Sequence, residues 1–138
     1  MNKRILRIIP SILIMTGLFA LSALPGRDPL LNSVFFLSDK IEHLIAYFVF
    51  GLSVCMWTPS QKWFARPLRY AVRVLLICTL FSVSDEYHQS FVPERSGNDL
   101  GDLIANFIGS FFSPIAYFIV LKLRIRFFSA VPRREPKP

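Results

Sequence analysis

"YAVRVLLICTLFSVSDEYHQSF", Tyr70 to Phe91, is the stretch on which the fold turns. Its first part, through Val83, is almost unbroken hydrocarbon. Asp85, Glu86, His88 and Gln89 then follow side by side. About 20 helical residues cross the hydrocarbon core of a bilayer, and this run is that long. Ionisable groups at the end of such a run cost several kcal/mol unless they are paired or hydrated. The third apolar run is therefore expected to end in a polar pocket and not in lipid.

Three further runs have the same character: Ile5 to Leu24, Ile41 to Thr58 and Asp102 to Leu123. Pro10 and Pro114 lie inside two of them, which membrane helices tolerate better than soluble ones. The chain has 138 residues, 53% hydrophobic and 14% aromatic, with a mean hydropathy of +0.46. A soluble domain of that size buries too little interior to hide so much apolar surface. The fold predicted is all-α and integral to the membrane: a four-transmembrane-helix bundle over residues 1–130, followed by a disordered basic tail at 131–138. The N-terminus also has the form of a secretory signal, but its apolar run is long for one, and a retained helix is the preferred reading. Cys55 and Cys78 each sit inside an apolar run, as small packing residues do, so no disulfide framework is expected.

Lys and Arg set the orientation. Lys3, Arg4 and Arg7 precede the first run, and Lys62, Arg66, Arg69 and Arg73 surround the second connection. Lys122, Arg124, Arg126, Arg133, Arg134 and Lys137 follow the last run. Of the sixteen basic residues, only Arg27, Lys40 and Arg95 fall on the opposite face. Both termini are therefore expected to be cytoplasmic, in the cytoplasmic (inner) membrane. The net charge of +7 is thereby accounted for by the membrane flanks, and nucleic acid is not an expected partner. The acids segregate the other way. Asp28, Asp39, Glu42, Asp85, Glu86, Glu94, Asp99 and Asp102 fall on the outer face, leaving Glu135 alone on the inner one. Acids weigh little in topology, so their segregation needs a cause at that face.

Three short stretches supply it. In "DKIEHLIAY" the pairs Asp39–His43 and His43–Tyr47 are four apart, and each pair projects to one side of a helix. In "DEYHQ" Asp85 and Gln89 are four apart. In "ERSGNDLGDLIAN" Asp99, Asp102 and Asn106 form a stripe at spacings of three and four. Taken singly, each has a plain structural explanation. Asp39, Lys40, Glu42 and Glu94 can be interfacial flanks, and His43 and His88 hydrogen-bonded structural groups. Arg95 can tie helices through Asp85, Glu86 or Asp99. Asn106, with Gly109 and Ser113, has the spacing of close helix packing with the amide as interhelical glue. Their convergence on one face is what favours a site.

"DKIEHLIAYFVFG" and "DEYHQSFVPERSGNDLGDLIANFIG" together resemble the VanZ-like membrane proteins. The positions that carry the resemblance are Asp39, Lys40, His43, Tyr47, Asp85, Glu86, Gln89, Phe91, Pro93, Arg95, Asp99, Asp102, Asn106 and Gly109. The match covers residues 36–113, with Ser113 standing where a second glycine is common. The resemblance implies a small multipass protein acting at the cell envelope. The family's namesake is associated with resistance to the glycopeptide teicoplanin, so a link to glycopeptide resistance is implied as well. It implies no particular reaction.

Three mechanisms stay open. In the first, the protein binds or processes a lipid or lipid-linked envelope precursor at the outer membrane face. Carboxylates in a low-dielectric pocket serve there as general acid or base. Glu86 is the candidate base, Asp85 beside it a further catalytic candidate, and His43 the alternative proton carrier. Lys40 and Arg95 would hold an anionic headgroup, with Asp39, Gln89, Asp99, Asp102 and Asn106 completing the binding site. A divalent metal held by Asp85, Glu86, Asp99 and Asp102, with oxygen ligands suited to Mg, Ca or Mn, is admitted but not favoured. In the second, a binding or transport module, the same pocket binds or carries a ligand or relays protons without catalysis. In the third, a structural tetraspan bundle uses these residues to knit its rim. Oligomeric state is left open.

Overall fold

The computed structural model describes residues 3–25, 39–95 and 97–130. Arg27, Asp28 and the tail 131–138, to which the sequence assigned places, lie outside the described residues. Within the described residues every regular element is a helix: α1 (Lys3–Ser22), α2 (Asp39–Cys55), α3 (Ser60–Ala65), α4 (Pro67–Gln89) and α5 (Leu100–Ala130).

Three of these are long and apolar enough to cross a membrane: Arg4–Ser22, Pro67–Gln89 and Leu100–Phe127. The expected second span, residues 41–58, is α2, and it is shorter than expected. Its 17 residues rise about 25 Å, less than a bilayer core of about 30 Å. The helix stops at Cys55, and turns carry the chain through Met56 and Trp57 to Pro59. Pro59 explains the stop, because a proline ring disfavours helical geometry in the residue before it. Trp63 Nε1 then donates to the Cys55 carbonyl at 3.2 Å, closing the α2 terminus. Among the described residues the protein is thus all-helical, with three helices long and apolar enough to span a membrane beside a shorter and more deeply packed one.

Polar residues are inside and apolar residues outside. Leu13, Leu80 and Phe127 are 66%, 71% and 70% exposed, while Glu86 and Asn106 are 1% and 0% exposed. The outward faces of α1, α4 and α5 carry further exposed Leu, Ile and Phe side chains. In water, apolar surface on that scale would be an aggregation liability; against lipid it is the expected surface.

α2 packs chiefly on α5, and α4 lies against the pair. Small residues allow the approach. A Cβ at Gly51 would strike the Ser113 hydroxyl, and one at Gly109 would strike the Leu44 carbonyl. Ser113, in place of a second glycine, has a further use. Pro114 lacks the N–H that would bond the Ser110 carbonyl one turn back, and Ser113 Oγ donates to that carbonyl at 2.9 Å instead. This is the compensation membrane helices use around internal prolines. Below this contact Tyr47, Phe50, Val54, Cys55, Trp63, Val74, Cys78 and Leu121 form the apolar core. Cys55 and Cys78 are buried free thiols within it.

The antiparallel arrangement puts the start of α1, the end of α2 and the end of α5 at one end of the bundle. Arg7, Thr58, Ser60, Tyr117 and Arg124 share an opening there. The C-terminus of α1 and α4 and the N-terminus of α2 and α5 meet at the other end, where the acids lie.

Candidate functional site

The site is built from four helix ends. Asp99 precedes α5 and acts as its N-cap: Oδ1 accepts from the Gly101 N–H at 2.6 Å, and Leu103 N–H bonds the Asp99 carbonyl at 3.1 Å. The other oxygen of Asp99, Oδ2, is 2.7 Å from Lys40 Nζ, and the same ammonium also bonds Asp102 Oδ1. Lys40 thereby ties the first turn of α2 to the first turn of α5. Its bond to Asp99, with that from the Gly101 N–H, holds the Asp99 carboxyl below the usual carboxylate range. Burial pulls the Lys40 ammonium down, but its bonds to Asp102 and Asp99 outweigh burial and hold it above the ordinary lysine value.

One turn further along, His43 Nδ1 is 3.1 Å from Asn106 Oδ1, and Asn106 Nδ2 donates to Ser82 Oγ at 2.9 Å. This chain of bonds joins α2, α5 and α4. His43 Nε2 faces Asp39 Oδ1 and Asp102 Oδ2, each at 3.8 Å.

The acids of α4 lie on its buried side. Asp85 Oδ1 accepts from Ser22 Oγ at 2.6 Å, and its Oδ2 is 3.4 Å from Gln89 Nε2. Glu86 Oε2 accepts from the Asp99 N–H at 3.3 Å. Among the described residues its Oε1 is buried without a hydrogen-bond partner, as are the Tyr47 hydroxyl and His88 Nδ1. Such atoms are rare in a native interior and call for an explanation. Tyr87, between Glu86 and His88, points outward.

Arg95 turns back on the bundle. Its Nε donates to the Leu24 carbonyl at 3.0 Å and its Nη2 to the Leu21 carbonyl at 3.1 Å. It closes the C-terminus of α1, whose last carbonyls have no helical partner. Its Nη1 is 3.4 Å from Gln89 Oε1. The expected headgroup cations, Lys40 and Arg95, are therefore both engaged within the protein.

Asp39, Lys40, His43, Asp85, Glu86, Gln89, Arg95, Asp99, Asp102 and Asn106 thus belong to one network at one end. Two members were not foreseen from sequence. Ser22 anchors Asp85, and Ser82 anchors Asn106. The metal grouping also differs from expectation. Among the described residues, the side chains whose ligand atoms gather within 4.8 Å are Asp39, His43 and Asp102. Of the expected set Asp85, Glu86, Asp99 and Asp102, that group includes Asp102 alone. His88 stacks on Phe19 with ring centroids 4.2 Å apart, joining α4 to α1 and standing apart from the carboxylate network.

Apolar helices of spanning length around an enclosed cluster of acids, amides and one imidazole define a multi-pass membrane protein with an internal polar site. The VanZ/LLP1 family model matches residues 4–122, and the chain belongs to that family. The match includes α1, which the motif resemblance at 36–113 did not reach. No curated protein and no solved structure matches the chain.

Proposed function

We propose that this VanZ-like protein binds an amphiphile of the cell envelope, a lipid or a lipid-linked precursor, at the acidic end of the bundle. Glu86 is the group that exchanges a proton with it. The observation that carries the proposal is Glu86 Oε1, a buried carboxylate oxygen with no hydrogen-bond partner among the described residues. An architecture that needed Glu86 only as a tie would pair both oxygens, because an unmatched buried acceptor is costly.

The acidic end is extracytoplasmic in this proposal, with four passes and both termini in the cytoplasm of an inner-membrane protein. The distribution of Lys and Arg supports this orientation. α2 completes the fourth pass with the turns that follow it and with local bilayer thinning. A link to glycopeptide tolerance belongs to the same proposal, resting on the family.

A second reading has its own observation. Lys40 and Arg95 are spent on Asp99, Asp102 and the carbonyls of Leu21 and Leu24, as in a rim that knits four helices together. The two readings part in one experiment. Detergent-solubilised full-length protein is offered radiolabelled envelope lipids, and retained label is counted for wild type and Glu86→Gln. Retention of one lipid class by wild type, reduced at least about tenfold in the variant, supports the site. Equal retention by both proteins, or none by either, leaves the structural rim.

A further inference from the structure

The atoms around His43 are divided in a way that the amphiphile proposal does not use. Lys40 Nζ takes Asp102 Oδ1 and lies 3.6 Å from Asp39 Oδ2. The other oxygen of each acid, Asp102 Oδ2 and Asp39 Oδ1, is turned to His43 Nε2 at 3.8 Å. The state of that nitrogen is set from the far side of the ring. Asn106 Nδ2 donates to Ser82 Oγ at 2.9 Å, which leaves Asn106 Oδ1 as the atom 3.1 Å from His43 Nδ1. An amide oxygen accepts, so Nδ1 is the donor in this bond, and in the neutral tautomer so set Nε2 presents its lone pair.

A lone pair directed at two carboxylate oxygens is repulsive unless something positive lies between them. A separation of 3.8 Å exceeds an N–H···O hydrogen bond, which closes to about 2.7–3.2 Å. It is close to the spacing of donors on one ion, since ligands held at about 2.0–2.2 Å lie roughly 3–4 Å apart. Beside Lys40, two further acids of α4 stand close by. Asp85 meets a hydroxyl and an amide, and Glu86 meets a backbone N–H. Glu86 keeps Oε1 buried and, among the described residues, unpartnered.

From this geometry we infer that Asp39 Oδ1, His43 Nε2 and Asp102 Oδ2 bind one divalent cation of borderline character, Zn²⁺ in the first place and Mn²⁺ second, with water in its remaining positions. One imidazole with two carboxylates suits these ions better than Mg²⁺ or Ca²⁺, which favour oxygen ligands throughout. The Asn106–His43 bond is the outer-shell contact that metal-bound imidazoles make, orienting the ring and fixing its tautomer. Asp39, 65% exposed at its side chain, leaves the ion a route from solution. The inference stands without the amphiphile proposal and is tested without lipid.

Full-length protein, purified in detergent and stripped with EDTA, is titrated with ZnCl₂, and bound metal per chain is measured by elemental analysis after desalting. Melting curves are recorded with Zn²⁺, Mn²⁺, Mg²⁺ and Ca²⁺. The expected result is one Zn²⁺ per chain and a higher melting temperature in Zn²⁺, with little response to Mg²⁺ or Ca²⁺. His43→Gln and Asp39→Asn should each weaken zinc binding at least about tenfold. Asp39 lies at the surface, so its variant should fold and melt as wild type does in EDTA. Absence of retained zinc and of any melting shift overturns the site. Zinc bound equally by wild type and both variants overturns it too, placing the ion elsewhere.

Discussion

Ser22 Oγ lies 2.6 Å from Asp85 Oδ1 and 2.9 Å from the Phe19 carbonyl. With one proton to give, it serves the carboxylate, the stronger acceptor. Ser22→Ala removes that donor and leaves Asp85 with Gln89 at 3.4 Å. The variant should lose about 2 kcal/mol of stability, within the range for hydrogen bonds to charged groups, read as a lower melting temperature. An unchanged melt would mean that α1 does not hold Asp85. The Lys40–Asp99 pair makes a prediction in pH. Asp99 is depressed in the folded state by Lys40 and the Gly101 N–H, so its contribution is present above the unfolded value of about 3.9. It fades as pH falls through the lower folded value. Lys40 is raised, so its contribution is complete below about 10.4 and fades as pH rises through the folded value. Melting temperature should therefore carry an acid limb below about pH 4 that is shallower in Lys40→Met. Identical acid limbs would show that the pair does not stabilise the fold. Ser22 and Ser82 were not legible beforehand, since a lone serine in an apolar helix has no periodicity to mark it. Asp39, His43, Asp102 and Asn106 were legible, because their spacings of three and four place them on helix faces whatever those faces meet.

At the scale of elements, α2 against α5 is the contact that sets the site, since it carries Lys40 to Asp102 and His43 to Asn106. Gly109 lies against the Leu44 carbonyl and the Phe48 N–H, backbone that cannot swing aside. Gly109→Ala should cost about 1–3 kcal/mol, the range for overpacking, and should disturb His43–Asn106 one turn away. A melting temperature equal to wild type would mean the helices separate at no cost. The loop from Ser90 to Asp99 holds Glu94 and Asn98 at φ 62° and 63°, left-handed geometry that Asn tolerates and Glu does not favour. Those turns bring Arg95 back to α1. That return could not be read from sequence, because Arg95 meets backbone carbonyls seventy-odd residues away, which no local spacing encodes. Pro59, by contrast, stood in plain view as the end of α2. The apolar count through Thr58 concealed it, because hydropathy ignores backbone geometry.

For the whole molecule, the apolar outward faces of the long helices favour a membrane, and the direction proposed rests on Lys and Arg. A cysteine introduced at Gly97 is less suitable than one at the exposed Asn98, since Gly97 sits against the Ser90 backbone. A cysteine at Asn98 should react with a membrane-impermeant thiol reagent in intact cells, and one at Gln61 should not. The buried Cys55 and Cys78 should contribute little background. Labelling at Gln61 alone would invert the topology. The central claim is that the buried acid serves a ligand and does not merely hold the bundle. Glu86→Gln keeps shape and hydrogen-bonding capacity, whereas Asn106→Leu removes an interhelical bond worth about 1 kcal/mol and overfills a packed contact. The most direct measurement sets retention of radiolabelled envelope lipid beside melting temperature for these two variants. The account predicts that Glu86→Gln loses the lipid while melting at or above the wild-type temperature, since it removes a charge that is costly to bury. It predicts that Asn106→Leu melts lower. A Glu86→Gln protein that keeps its lipid, or loses it only by melting early, would contradict the account.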